Sequence, residues 1–513
     1  MNFYTSVHRL GNNILYRGYK NGRRVQKKIP FEPHLYVKTP NASYRALDGT
    51  SVRRIDFPSI GAAHEHVKAM QDVDGYDIYG TTDYVAQFIQ QEFPGDIEFD
   101  ADLINTVSLD IEVHSTGGFP DAEKAEWPID AVTLKSSRSG YYFVYTTLDA
   151  AIVMDELVEK GIKPGDIRIK VCDCEEDLIL FMLNWWTDPQ WAPDIITGWN
   201  IRGFDVPYLL NRTRKLLGEA EMKRWSPWGI IKNNDLLVKG MRLNTYDMVG
   251  ISQLDYMDAF KKFGYSYGPQ ESYKLDHIAY VVLGERKLSY DEYAGLRGLR
   301  EEAPGKYLAY NVKDTWIVAR LEDKLGLIDL IVTTAYKGGV NYNDCFGTTR
   351  IWDTIIYRRL ADRNVVVPPR PNNPKTAFAG GYVKDPQVGM HDWVVSFDLN
   401  SLYPNIIIEY NMSPETIVRG SYGPLSPNQC LADDFAIESE HAVAANGAQF
   451  RKDSQGIIPE IIVDYYAERK DVKREMLEAE QELIEAKKEL ARLEALSDIN
   501  ASDGNIIQDN EQS

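Results

Sequence analysis

The chain has 513 residues, 44% hydrophobic and 26% charged, a globular composition that excludes a disordered, collagen-like or membrane-spanning protein. At about 150 residues per domain, this length fits roughly three domains. The net charge of 57 − 76 = −19 argues against a protein that coats nucleic acid indiscriminately. It leaves room for nucleic acid in a local basic groove, and it supplies the carboxylates that a Mg²⁺ site needs.

The longest apolar run, Leu178-Ile-Leu-Phe-Met-Leu183, is far too short to cross a bilayer, and the N-terminus lacks the apolar core of a signal peptide. Cys172, Cys174, Cys345 and Cys430 offer neither a disulfide framework nor a zinc spacing. The expectation is a soluble protein of a reducing compartment.

Residues 1–100 read as sheet-rich. Ile14-Leu-Tyr-Arg17 and Arg24-Val-Gln-Lys27 flank Asn21-Gly22, the pair favoured in a two-residue hairpin turn. Arg17, Lys20, Arg23, Arg24, Lys27 and Lys28 crowd this hairpin, with Tyr16 and Tyr19 among them. That pattern fits a charge-protected edge strand or a nucleic-acid contact surface. From 101 to 326, strand-like runs at 106–113, 167–172 and 195–199 alternate with helical ones at 176–186 and 206–217, as in an α/β domain. A Pro-rich stretch at 366–374 reads as a linker, followed by a mixed segment to about 455. The last element is a charged helix over 459–496, with Val472, Met476, Leu483, Leu490 and Leu493 at helical spacing, ending in an exposed polar tail.

Three segments carry carboxylates. In Val107-Ser-Leu-Asp-Ile-Glu-Val113, strand alternation puts Val107, Leu109, Ile111 and Val113 on one face, and Asp110 and Glu112 together on the other. Such a pair is surface decoration, or it holds a cation between its members. Asp205 closes Asn200-Ile-Arg-Gly-Phe-Asp205 before a helix with Pro207 in its first turn, where helix capping is the bland role. Tyr307, Tyr310, Asp314, Ile317 and Leu321 form one helical stripe. An aspartate within such a stripe is a tolerated boundary acid, or it is compensated by a metal or a firm hydrogen bond. Taken together, four carboxylates and a tyrosine suit a two-metal phosphodiester site, with Tyr310 orienting a water.

The ordered set Asp110-x-Glu112, Asn200-x4-Asp205 and Tyr310-x3-Asp314 resembles the three exonuclease motifs of family B DNA polymerases. Thr197-Gly-Trp-Asn-Ile-Arg-Gly-Phe-Asp-Val-Pro-Tyr208 resembles the T-even bacteriophage members most closely. The resemblance implies an RNase H-like 3′→5′ proofreading exonuclease that uses two Mg²⁺ ions, with Mn²⁺ as an alternative. Asp110, Glu112, Asp205 and Asp314 would bind metal, and Tyr310 would act beside them.

Val394-Val-Ser-Phe-Asp-Leu-Asn-Ser-Leu-Tyr-Pro-Asn-Ile-Ile407 reads as a strand ending at Asp398, a turn, and a helix opening near Pro404. N–H groups of Ser401, Leu402 and Tyr403 at that opening suit a phosphate; the bland alternative is an ordinary strand–helix corner. The segment is similar to the first polymerase motif of the same family, with Asn405 in place of the usual serine. By resemblance, Asp398 and the Leu399 carbonyl bind metal, and Tyr403 packs under the sugar of the incoming nucleotide. Arg469 and Lys473 look like the fingers residues that touch its triphosphate. Phe378-Ala-Gly-Gly-Tyr-Val383 is similar to the family's glycine-rich link.

The family's second motif, K-x3-N-S-x-Y-G, and its third, D-T-D, do not occur in the sequence. Asp398 alone does not hold both polymerase metals. The expectation is the N-terminal subunit of a split replicative polymerase, with an artificial truncation the less favoured reading of an ordinary initiator Met and a polar tail. A second polypeptide would supply the remaining palm aspartate, the rest of the fingers, the thumb and the sliding-clamp contact. The expected organisation is a sheet-rich N-terminal domain at 1–100 resuming at 327–369, an exonuclease domain at 101–326, a partial palm at 370–455, and a partial fingers helix and tail at 456–513. Expected ligands are primer-template, single-stranded DNA and dNTPs, with no membrane, in the cytoplasm of a bacterial host. Two further readings are a stand-alone exonuclease with a vestigial polymerase region and a non-catalytic RNA-binding regulator.

Overall fold

Three antiparallel strands open the chain, β1 (Asn2–Leu10), β2 (Asn13–Lys20) and β3 (Arg23–Pro30), in the order β1-β2-β3. Lys20 pairs with Arg23 across Asn21 (φ 51°) and Gly22 (φ 74°), the left-handed pair that a two-residue hairpin requires. In this computed structural model residues 1–40, 42–238, 241–370, 383–418, 420, 423–430, 432 and 437–509 are described, in two compact units, Met1–Arg370 and Pro371–Ser513.

The basic hairpin divides by face. Tyr16 and Tyr19 are buried in the core, and Arg17 is only 2% exposed. Lys20, Arg23, Lys27 and Lys28 are exposed, the last three on β3 at the sheet edge. The aromatic half of the hairpin is therefore core, and the exposed charge protects an edge.

A second sheet contains β4 (His34–Lys38), β5 (Tyr44–Ala46), β6 (Ser51–Asp56) and β7 (Ile78–Tyr79). The third, in the order β11-β10-β9-β8-β12-β15, contains β8 (Thr106–Val113), β9 (Ile129–Ser136), β10 (Tyr142–Thr146), β11 (Ile167–Val171), β12 (Ile195–Thr197) and β15 (Ser252–Gln253). A hairpin, β13 (Ile231–Val238) and β14 (Met241–Met248), leads into β15. Near residue 365 the chain returns to the second sheet, where β16 (Val365–Val366) pairs in parallel with β5.

Strand alternation in β8 decides what faces what. Val107, Leu109 and Ile111 pack into a cluster with Leu178, Ile179 and Leu183 of the helix Glu175–Thr187 and Leu209 of the helix Asp205–Leu217. The other face, with Asp110 and Glu112, is covered by the helix Pro304–Leu325. The strand and helix boundaries expected in this region hold to within two residues.

In the second unit, helices span Leu402–Glu409 and Ile457–Asp509. Two expectations are corrected. Residues 394–398 form no strand, because no strand among the described residues pairs with them, and Val394, Val395 and Phe397 are 71–91% exposed. Without a ladder partner the backbone groups of this exposed segment are left to water, and nothing holds it as a strand. The polar tail is instead helical to Asp509. Ser, Asp, Asn and Gly each cost a helix only up to about 1 kcal/mol, and no proline intervenes to stop it. Residues 378–382 of the expected glycine-rich link, and 371–374 of the Pro-rich stretch, lie outside the described residues. Among the described residues no helix is long and apolar enough to cross a membrane.

Candidate nuclease active site

The site forms where β8 meets the helix Pro304–Leu325. Carboxylate oxygens of Asp110, Glu112 and Asp314 all lie within 4.8 Å of one another. Glu112 and Asp314 are buried and Asp110 is partly so. Three carboxylates this close repel. Burial first, then Asp314 and Glu112, push the Asp110 carboxyl well above its ordinary range. Burial and Asp314 push Glu112 up to about 8, against the pull of Lys287. Burial also raises Asp314.

Asp205 does not cap its helix. It is the first residue of Asp205–Leu217, 4% exposed, and its Oδ1 accepts from the backbone N–H of Ile111 at 3.1 Å. This bond ties it to the strand between Asp110 and Glu112. Asp205 stands beside the three-oxygen cluster rather than in it. Burial lifts it to about 7, although backbone hydrogen bonds favour its charged form.

Two residues of the site were not singled out by the sequence. Lys287 Nζ lies 2.5 Å from Asp314 Oδ2 and donates to the Tyr310 hydroxyl at 2.6 Å. Burial disfavours its charge, yet Asp314, Tyr310 and Asp110 hold its pKa well above the ordinary value. The loop that presents it is anchored by Asp276, which accepts from the Lys287 backbone N–H at 2.9 Å and from Arg286 at 2.5 Å. Asn311 donates to Asp110 Oδ2 at 2.6 Å, while its own Oδ1 accepts from the Thr133 hydroxyl. A loop lysine carries no periodicity. The available signal was charge balance, since four clustered acids call for a cation.

Asp314 Oδ1 is buried with no hydrogen-bond partner. An orphaned carboxylate oxygen among hard oxygen donors fits a divalent cation such as Mg²⁺ or Mn²⁺. A cavity of about 420 Å³ adjoins the cluster, lined by Glu112, His114, Phe119, Phe204, Arg297 and Arg300 among others. Phe119 is 84% exposed, and its ring lies 4.9 Å from that of Phe204.

Comparison with known proteins matches residues 83–278 to the DNA polymerase family B exonuclease domain and residues 347–491 to DNA polymerase family B. The chain belongs to the family B DNA polymerases. It is 33% identical over 499 residues to the DNA-directed DNA polymerase of Enterobacteria phage T4, and 31% identical over 501 residues to that of Escherichia phage RB69. Each alignment covers 93% of this chain and 54% of the relative, so the chain spans about half the length of these polymerases. The DNA polymerase delta catalytic subunit of Caenorhabditis elegans is 26% identical over 395 residues, 73% of this chain and 34% of that one. The family brings an RNase H-like exonuclease domain together with a polymerase region, and its members use divalent metals.

The polymerase-motif residues sit in the second unit, on its surface. Asp398 is exposed, Leu399 is 69% exposed and Tyr403 70% exposed. Ser401 precedes the helix Leu402–Glu409 in a left-handed conformation (φ 52°) and makes no side-chain cap. Arg469 and Lys473 are exposed one turn apart on the helix Ile457–Asp509. Asn400 Nδ2 donates to the Tyr466 hydroxyl at 3.2 Å, linking the motif to that helix.

Proposed function

We propose that this chain removes nucleotides from DNA 3′ ends as a proofreading exonuclease, within a polymerase that other polypeptide completes. The observation that carries the nuclease reading is the cluster of Asp110, Glu112 and Asp314, with its orphaned oxygen, faced by Lys287 and Tyr310. Asp110, Glu112 and Asp314 would hold two divalent ions with Asp205 from the neighbouring helix. Bound there, the ions activate water and stabilise the departing 3′ oxygen.

The chain's own side chains do the rest. Asn311 fixes the rotamer of Asp110, and the Ile111 N–H fixes Asp205. Lys287 holds the Tyr310 hydroxyl as an acceptor, so that its proton is free to point at a water. Phe119 and Phe204 offer ring faces on which a frayed terminal base stacks. Arg297 and Arg300 line the same cavity and suit its phosphates.

The test is digestion of a 5′-labelled single-stranded oligonucleotide with Mg²⁺, Mn²⁺ or EDTA, beside an Asp110→Ala/Glu112→Ala protein. A metal-dependent 3′ ladder absent from the variant is expected. No degradation by folded wild type overturns autonomous nuclease function.

For synthesis, Asp398 and the Leu399 carbonyl would bind metal with a further aspartate. The N–H groups of Ser401, Leu402 and Tyr403, together with Arg469 and Lys473, would hold the dNTP. We place the missing motifs, the thumb and the clamp contact on a second chain. Two exposed apolar surfaces support this: residues 394–403, and Val472, Met476, Leu483, Leu490 and Leu493 at 49–57% exposure on the terminal helix. Primer extension that appears only when a polypeptide carrying N-S-x-Y-G and D-T-D is added as a separate chain supports the assignment. Extension by this chain alone refutes it.

A further inference from the structure

A second cavity, of about 500 Å³, lies between β2, β3 and the helices of the six-stranded sheet. Arg17, Arg24, Lys223 and Arg224 line it, and among the described residues no carboxylate does. It sits at the opposite end of the sheet from the nuclease cluster. Ile195 pairs with Thr106, so Asp194, beneath this cavity, lies level with Asn105. Asp110 and Glu112 are five to seven residues further along, about 17–23 Å.

Charge is unbalanced there. Arg17 and Arg24 share a single carboxylate, Asp194, at 3.6 and 2.7 Å. Asp194 is fully buried and already accepts from the Tyr19 hydroxyl at 2.9 Å and the Asn105 N–H at 3.0 Å. Arg17 spends one nitrogen on the carbonyls of Pro193 and Gly250, both at 2.8 Å, but its buried Nε has no partner. Burial works against the Arg17 cation, Asp194 favours it, and the neighbouring Arg24 charge opposes it again. At the rim, Lys223 and Arg224 pair with Glu219 and Glu221 of their own short helix, and Arg224 also donates to Asn184 Oδ1 at 3.0 Å. A buried guanidinium with an orphaned donor, next to three further cations, is an arrangement that an incoming anion relieves.

We propose that this cavity binds a phosphate group, with Arg17 as its buried donor and Arg24, Lys223 and Arg224 around it. The volume accommodates a nucleotide-sized ligand. The phosphate comes from a free nucleotide or from a nucleic-acid strand crossing the rear of the nuclease fold. The site stands independently of the nuclease reading.

The test titrates the full chain, in EDTA and at constant ionic strength, with inorganic phosphate, a deoxynucleoside 5′-monophosphate, or a single-stranded oligonucleotide. The thermal midpoint and the tryptophan fluorescence, to which Trp186 at the cavity wall contributes, are followed. Phosphate should raise the midpoint saturably. Lys223→Ala/Arg224→Ala should weaken its apparent affinity by about tenfold or more. Ala220→Glu, at an exposed lining position, should do the same without removing any existing contact. Lys27→Ala/Lys28→Ala, an equal charge change on exposed β3, should leave the affinity unaltered. Tighter binding of the monophosphate assigns the site to a nucleotide, and tighter binding of the oligonucleotide, lost in the cavity variants, assigns it to a strand. A rise without saturation, equal loss in the β3 control, or indifference to both cavity variants overturns the proposal.

Discussion

The carboxylate cluster around Asp110 and the segment around Asp398, for which we propose the same kind of metal chemistry, stand in two different settings. At the first, residues 110–112, 205, 287 and 310–314 converge because one sheet packs a helix into a core on each of its faces. Asp110, Asp205 and Asp314 are each held by a hydrogen bond or an ion pair, and Asp314 keeps a buried oxygen for a ligand. At the second, Asp398 lies in a segment whose apolar neighbours are exposed and which forms no strand, having no ladder partner among the described residues. Convergence from distant segments requires a finished core; a motif read from consecutive residues does not.

The largest expected effect tests that contrast directly. Asp110→Ala/Glu112→Ala should lower nuclease kcat on the order of 10³-fold or more, measured by single-turnover digestion. Its counterpart, Asp398→Ala, should shift unfolding free energy by less than about 0.5 kcal/mol, because the side chain is exposed. A large loss of stability on removing Asp398 would show that the second site is more built than its exposure indicates.

Next comes the lysine. Lys287→Met removes the cation that holds Asp314 and Tyr310, and should cost about 100-fold in kcat with a smaller change in KM. Tyr310→Phe keeps the ring and loses the hydroxyl, and about tenfold is expected if its role is to orient water. If Tyr310→Phe proved as damaging as Lys287→Met, the lysine would be acting through the tyrosine rather than through Asp314.

What the sequence disclosed follows the same division. Strand alternation placed Asp110 and Glu112 on one face of β8 and put Val107, Leu109 and Ile111 in the core. Helical spacing put Asp314 and Tyr310 on one buried stripe. These are local periodicities, and local geometry realised them. Lys287 was invisible because its position depends on Asp276 and on a loop that no period describes. Asp205 was legible as a residue but not as a contact, since its bond to Ile111 spans 94 residues. Arg17 looked like surface charge because its neighbours were basic; its burial depends on Asp194, far along the chain. The strand expected at 394–398 failed for the converse reason. Its composition favours a strand, but a strand exists only with a partner.

A smaller effect sharpens the contrast between the two units through acid. Burial, then the Arg54 charge, lowers the His34 pKa from 6.5 to about 4. Burial and Lys232 lower His8 likewise to about 4. The folded pKa lies below the unfolded one, so the unfolded chain binds more protons between about pH 6.5 and 4. This contribution to stability is complete above pH 6.5 and is lost as pH falls towards 4. After allowance for partial exposure, it amounts to about 1–2 kcal/mol for His34. All of the ten tryptophans except Trp393 lie in Met1–Arg370, so their fluorescence reports that unit, while circular dichroism also follows the 53-residue terminal helix. In urea unfolding followed by fluorescence, His34→Asn should gain stability relative to wild type from pH 7.5 to 4.5, a change opposite in sign to the contribution of the raised Asp110, Glu112 and Asp205 carboxyls, which both proteins share. A constant difference between variant and wild type across this range would remove His34 as a cause.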